Sequence, residues 1–177
     1  MVKLYRLEGR PRLYWEAWEE DGSLVIHRGP LGERGSVARV AAPNGDTVSE
    51  VLDREMQRAI ADGYVPVRDE EHLRVMVQYP PERFAAPQEV EATWDRVERT
   101  INESLGWTGL GRCQLVDFSS ELTFIALVLD QQLAVQAIRE GLQRGGQLDG
   151  SALAVEREEG FQVVWPPQWA GEMITAD

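Results

Sequence analysis

Residues 13–27 read Leu13-Tyr14-Trp15-Glu16-Ala17-Trp18-Glu19-Glu20-Asp21-Gly22-Ser23-Leu24-Val25-Ile26-His27. The run 13–19 alternates, placing Leu13, Trp15 and Ala17 on one face and Tyr14, Glu16 and Trp18 on the other, as a strand demands. Asp21-Gly22 is a two-residue turn signal, and 24–27 supplies the returning strand. This hairpin sets the first part of the chain as a sheet of short antiparallel strands. Outward from it, 3–7 reads as a preceding strand. The run 36–41 follows the glycine-rich stretch 28–35 as another, closed by Pro43-Asn44-Gly45.

One helix comes next, over about 48–62. Thr47 and Glu50 have capping-box spacing, which satisfies amide donors of the first turn. Val48, Val51, Leu52, Met56, Ala59 and Ile60 form one apolar stripe, and Gly63 is placed as the left-handed stop. Residues 64–67 read as a short return strand, and a seam falls at 67–72.

The second part reads strand, helix, strand, strand, helix, strand. Residues 73–79 alternate, with Leu73, Val75, Val77 and Tyr79 on one side, and Pro80-Pro81 ends the run. Pro87 suits a first helical turn, and Val90, Trp94, Val97, Ile101 and Leu105 carry the stripe to Gly106. Residues 112–116 and 122–129 form a hairpin around 117–120; the second strand is apolar on both faces, as a central strand should be. Asp130 caps a helix with the stripe Leu133, Ala134, Ala137, Ile138 and Leu142, ending at Gly145-Gly146. Residues 152–156 and 161–165 finish as a strand or tight hairpin around Glu159-Gly160. The fold class expected is α+β: an antiparallel sheet with one helix over 1–68, then a ferredoxin-like split β-α-β domain over 72–166. The tail 167–177 is expected to pack over an edge or fray.

At 177 residues the chain has room for one ordinary domain or two small ones. The longest apolar run, 124–129, is far short of a membrane span, and residues 1–6 lack a signal-peptide core; both imply a cytoplasmic protein without a membrane partner. One cysteine, Cys113, excludes an intrachain disulfide and a thiolate metal site and reads as a small buried hydrophobe. The net charge is −12, spread unevenly: residues 1–70 carry 10 Lys+Arg against 13 Asp+Glu, and residues 71–177 carry 8 against 17. A polyanion is repelled by so acidic a second half, because nucleic-acid affinity comes mainly from neutralising phosphates. An acidic surface suits a basic protein partner.

No metal-binding HExxH, phosphate-cradling GxxxxGK[ST] or nucleophile-elbow GxSxG occurs. Gly109-Leu110-Gly111 precedes a strand, whereas a dinucleotide loop follows one, so it reads as a turn. His27 reads as a strand surface residue and His72 as the start of the next domain. The carboxylate clusters lie in turns, where solvation accounts for them. No enzyme, cofactor or metal is expected. Trp15, Trp94 and Trp165 lie on apolar stripes and read as core. Trp18, Trp107 and Trp169 sit beside polar segments and read as interface anchors or as seals at the junction between the modules.

Residues 1–68 resemble a WGR domain, the small module found in some poly(ADP-ribose) polymerases and in many bacterial proteins. The resemblance is carried by Leu13-Tyr14-Trp15-Glu16-Ala17-Trp18, by the turn and strand to His27, and by Arg28-Gly29-Pro30-Leu31-Gly32-Glu33-Arg34-Gly35-Ser36. A strand, a helix and Gly63-Tyr64-Val65 follow in the family's order. Where the family carries Trp-Gly-Arg, this chain has Arg28-Gly29-Pro30. In the polymerases the module helps contact broken DNA and communicates with neighbouring domains. There the tryptophan is suited to stack on a base or sugar and the arginine to grip phosphate. The implied fold survives this replacement; the implied nucleic-acid binding is demoted.

The resulting expectation is a non-catalytic binding protein that engages another, preferably basic, protein. The alternative is a divergent nucleic-acid module using Arg28, Arg34 and Arg39, with Gly29, Gly32 and Gly35 letting backbone amides approach an anion. Trp18 completes the set of candidate binding residues.

Overall fold

Four strands open the chain in the computed structural model, which describes residues 1–43, 45–80, 87–117 and 122–169. They are β1 (Val2–Arg6), β2 (Leu13–Glu20), β3 (Ser23–Pro30) and β4 (Ser36–Ala41), paired antiparallel in chain order. The β2–β3 turn is Asp21-Gly22, both at positive φ (51° and 70°), the geometry whose twist matches that of the flanking strands. It sets Glu20 opposite Ser23, and every rung behind it follows, Trp18 opposite Val25 and Glu16 opposite His27.

One face of this sheet carries Leu4, Trp15, Ala17, Leu24 and Ile26 against helix α1 (Val48–Ala61). The α1 stripe docks there through Val48, Val51, Leu52, Met56 and Ala59. Val51 is fully buried there and contributes roughly 1.5–3 kcal/mol, while Val48, Leu52 and Met56 are partly buried. Ile60 departs from expectation and is exposed, because it falls on the outer shoulder of the stripe. The capping box forms as the sequence requires. Thr47 Oγ1 accepts from the Glu50 amide, and Glu50 accepts from the Thr47 amide. The Thr47 amide and the Thr47 hydroxyl both donate to the Glu50 carboxylate and hold it below its ordinary range. The expected return strand at 64–67 shrinks to one bridge, Tyr5 with Val65, while Tyr64 packs on the core.

The other five strands are β5 (Leu73–Tyr79), β6 (Gly111–Asp117), β7 (Leu122–Val128), β8 (Ala152–Arg157) and β9 (Gly160–Trp165). With α2 (Pro87–Gly106) and α3 (Gln131–Arg144) they build a sheet of order β6-β7-β5-β8-β9, antiparallel throughout. β7 lies between β5 and β6, and β5 between β7 and β8. The two β-α-β passes are therefore split and interleaved, the arrangement called ferredoxin-like, with β9 added at the edge. β7 is buried along its whole length, as an interior strand should be. Val97, Ile101 and Leu105 of α2 and Ala134, Ile138 and Leu142 of α3 are fully buried. The Asp130 carboxylate caps α3 by accepting from the Leu133 amide at 3.0 Å. Trp94 and Trp165, expected in the core, are half-buried; the Trp165 ring carries the Arg139 guanidinium 5.6 Å from its centroid. The fold class is α+β.

The chain divides into two units, Met1–Glu71 with Trp107–Gly109, and His72–Gly106 with Leu110–Asp177. Asn44 of the expected turn, Pro81, residues 118–120 of the expected hairpin turn and the tail from 170 lie outside the described residues. Among the described residues no helix is long and apolar enough to cross a membrane.

Candidate functional site

The face of the first sheet opposite α1 holds a chain of polar groups. Alternation puts Lys3 of β1, Tyr14 and Glu16 of β2, and His27 of β3 on this face, and the register makes Lys3, Glu16 and His27 successive members of one rung. The Lys3 ammonium is 3.0 Å from Glu16 Oε2. Glu16 Oε1 is 2.7 Å from His27 Nδ1, and His27 Nε2 is 2.8 Å from Tyr14 Oη. The Gly35 amide donates to that same hydroxyl at 2.8 Å. Tyr14, Glu16 and His27 are 0 %, 5 % and 1 % exposed. Buried polar groups must be paired, and here each one is.

Chemistry orders the protons along this chain. A carboxylate only accepts, so the hydrogen sits on His27 Nδ1 and is donated to Glu16. In the neutral ring Nε2 accepts, and the Tyr14 hydroxyl donates to it while accepting from Gly35. Burial, chiefly, pushes the Tyr14 phenol up to about 12, with Glu16 adding to it against the opposing Gly35 bond. The phenol thus stays a donor. His27 was expected on the strand surface. It is buried because Glu16 opposite supplies the acceptor that its ring needs.

Glycines let the loop close on the tyrosine. A Cβ on Gly35 would lie 2.3 Å from both Tyr14 Oη and the Arg28 carbonyl oxygen, and one on Gly29 would lie 2.7 Å from Gly35 Cα. The loop amides are spent internally: Leu31 donates to Arg12 O, Gly32 to Thr108 O and Glu33 to Pro30 O, and Gly35 to Tyr14. That leaves four amides of the 31–35 loop committed, where an anion nest needs them open.

The candidate residues separate into three places. Arg28, exposed, occupies the rung of Trp15 and Ser36, on the α1 side of the sheet. Trp18 and Arg39 share a rung through Val25 on the opposite side, and Arg39 is ion-paired with Glu20. Gly29, Gly32, Arg34 and Gly35 gather at the Tyr14 end. There the exposed Arg34 guanidinium lies 4.9 Å from the centroid of the Trp107 ring, and Trp107 is 39 % exposed. The indole also meets His27 edge-on at 5.1 Å, and His27 meets Tyr14 at 5.0 Å.

Lys3, Tyr14, Glu16 and His27 were absent from the sequence-derived set. Their signal was present: a two-residue turn at Asp21-Gly22 puts positions summing to 43 opposite each other, and 16 pairs with 27. Cys113 of β6 is half-buried, and burial, with Glu98 adding, pushes its thiol up to about 12. Among the described residues no three of His, Cys, Asp and Glu gather to hold a metal ion.

No family model, curated protein or solved structure matches the chain.

Proposed function

We propose that the chain is a non-catalytic binding protein whose first unit is a WGR-like module, and that its partner is another protein, basic in character. The observation that carries this reading is the exposed Arg34–Trp107 stack on a loop with four of its amides bonded inward. Arginine and tryptophan are the side chains most often found as interface anchors, and a pinned loop loses little entropy on binding. The outermost strand β4 adds a second feature. Five of its six residues are exposed, and its register with β3 is unbroken, so its outer edge can receive an extended peptide segment. The net charge of −12 speeds the approach of a basic protein and opposes that of a nucleic acid.

The non-catalytic part of the reading is supported by the enclosure of Glu16, His27 and Tyr14. They have the connectivity of an acid–base relay, yet no substrate atom reaches a hydroxyl that is 0 % exposed. The second reading, a single-stranded nucleic acid stacking on Trp107 with phosphate on Arg34, is favoured by the same stack and opposed by the charge and the committed amides.

Cross-linking capture from a native lysate at low salt tests the choice, with wild type run beside Arg34→Ala and Trp107→Ala. A basic protein retained by wild type and lost from both folded variants is expected. A salt-sensitive gel shift of nicked or single-stranded DNA, abolished in Arg34→Glu, would put the nucleic-acid reading first.

A further inference from the structure

The Tyr14 hydroxyl is the junction between a buried base and the binding loop. Besides the acceptor His27 Nε2 and the donor Gly35 amide, it has two carbonyl oxygens in reach as acceptors, those of Glu33 and Trp107, each at 3.4 Å. We infer that His27 is a proton-operated switch that sets the geometry of the Arg34–Trp107 surface through the Tyr14 hydroxyl. This rests on the proposed function only for what the surface is used for; the switch itself is a property of the folded chain.

The argument is one of donor and acceptor counting. With neutral His27, the single Tyr14 hydrogen points to Nε2. An imidazolium donates from both nitrogens, so on protonation Nε2–H must take a lone pair of Tyr14 Oη. The hydroxyl hydrogen then has to turn away, and the acceptors waiting for it are Glu33 O and Trp107 O. Contraction of either 3.4 Å separation toward hydrogen-bond length moves the residue beside Arg34 or the indole under it. No atom other than the captured proton is added, and the charge gained is one.

The groups facing His27 define the field in which that charge appears. From β2 come Tyr14 and the Glu16 carboxylate; from β1 comes Lys3, on the far oxygen of Glu16. β4 brings Val37 opposite His27, which does not titrate. The 107–109 segment brings the Trp107 ring, which already holds Arg34. The Glu16 carboxylate accepts from His27 Nδ1 and also pairs with Lys3. The Arg34 guanidinium and a charged His27 would share one indole, so protonation also weakens the Arg34 stack by like-charge repulsion.

Nuclear magnetic resonance on the full chain tests this without any partner, so a failed capture experiment leaves it untouched. The His27 ring nitrogens, the Gly35 amide and the Trp107 indole N–H are followed from mildly alkaline to mildly acidic pH. The expected result is that all three shift with one common midpoint. In Tyr14→Phe, His27 still titrates while the Gly35 amide stops following. Should that variant not fold, wild type alone decides, since a common midpoint is expected there in any case. A His27 ring that titrates while Gly35 and Trp107 stay fixed overturns the inference. So does Gly35 following pH in a folded Tyr14→Phe, or acid unfolding with no earlier movement at His27.

Discussion

Tyr14→Phe removes one oxygen atom and is expected to destabilise the first unit by about 2–4 kcal/mol. The lost hydroxyl accepts from the Gly35 amide and donates to His27 Nε2, both at 2.8 Å. Each buried polar group left without a partner costs about 1–3 kcal/mol, and the part-buried Gly35 amide, which water can reach, sits at the low end. Tyr79→Phe in the second unit is the internal comparison. There the hydroxyl donates to the buried Gln147 carbonyl at 2.9 Å, so one buried group rather than two loses its partner, at about 1–3 kcal/mol. Because the chain has two units, global unfolding curves would blend them. Native-state hydrogen exchange of the β2 and β3 amides reads the first unit alone, and that of the β5 and β7 amides reads the second. A loss in Tyr14→Phe no larger than that of Tyr79→Phe would refute the reasoning, because it would mean that the hydroxyl is not the hub of a closed network.

Gly35→Ala pushes a methyl to within 2.3 Å of Tyr14 Oη and the Arg28 carbonyl, and overpacking of this kind costs about 1–3 kcal/mol; Gly106→Ala, which meets open space at the end of α2, is the neutral control by the same exchange measurement. Alkali destabilises the first unit. The Tyr14 proton is held more tightly in the folded state, so its contribution is fully present below the ordinary tyrosine value of 10.0 and is lost as pH rises to about 12. Ultraviolet titration of wild type beside Tyr14→Phe should show a late-ionising phenol that the substitution removes, with folding stability falling over the same window. Cys113, its thiol near 12, should react with a disulfide reagent at pH 8 far more slowly than in the denatured chain, because only the thiolate attacks; equal rates would contradict the burial that protects it.

The elements were largely legible because their determinants are local. The Thr47–Glu50 box, the Asp21-Gly22 turn, the Asp130 cap and the apolar stripes of α2 and α3 each lie within a few residues of the structure they specify. Residues 64–67 were over-read, since only Val65 finds a strand partner. The site was less legible for a different reason. A half-buried strand normally exposes its polar face, so Tyr14, Glu16 and His27 read as surface when taken one strand at a time. Only their sum across β1, β2 and β3, with a donor and acceptor for every member, makes burial affordable in energy. Trp107 is more than 70 residues distant from Arg34 in sequence, and no spacing rule joins them. The arginines were misleading in the opposite sense: Arg28 and Arg39 lie near Arg34 in the chain, but strand alternation sends them to opposite sides of one sheet.

The proton order of His27 is the most direct measurement of the account, because the closed loop, the late-ionising Tyr14 and the switch all depend on it. Nitrogen chemical shifts of the neutral form of the His27 ring are expected to show protonation at Nδ1, with Nε2 accepting. A neutral ring protonated at Nε2 would turn its bare Nδ1 toward the Glu16 carboxylate, and the network described here would not exist.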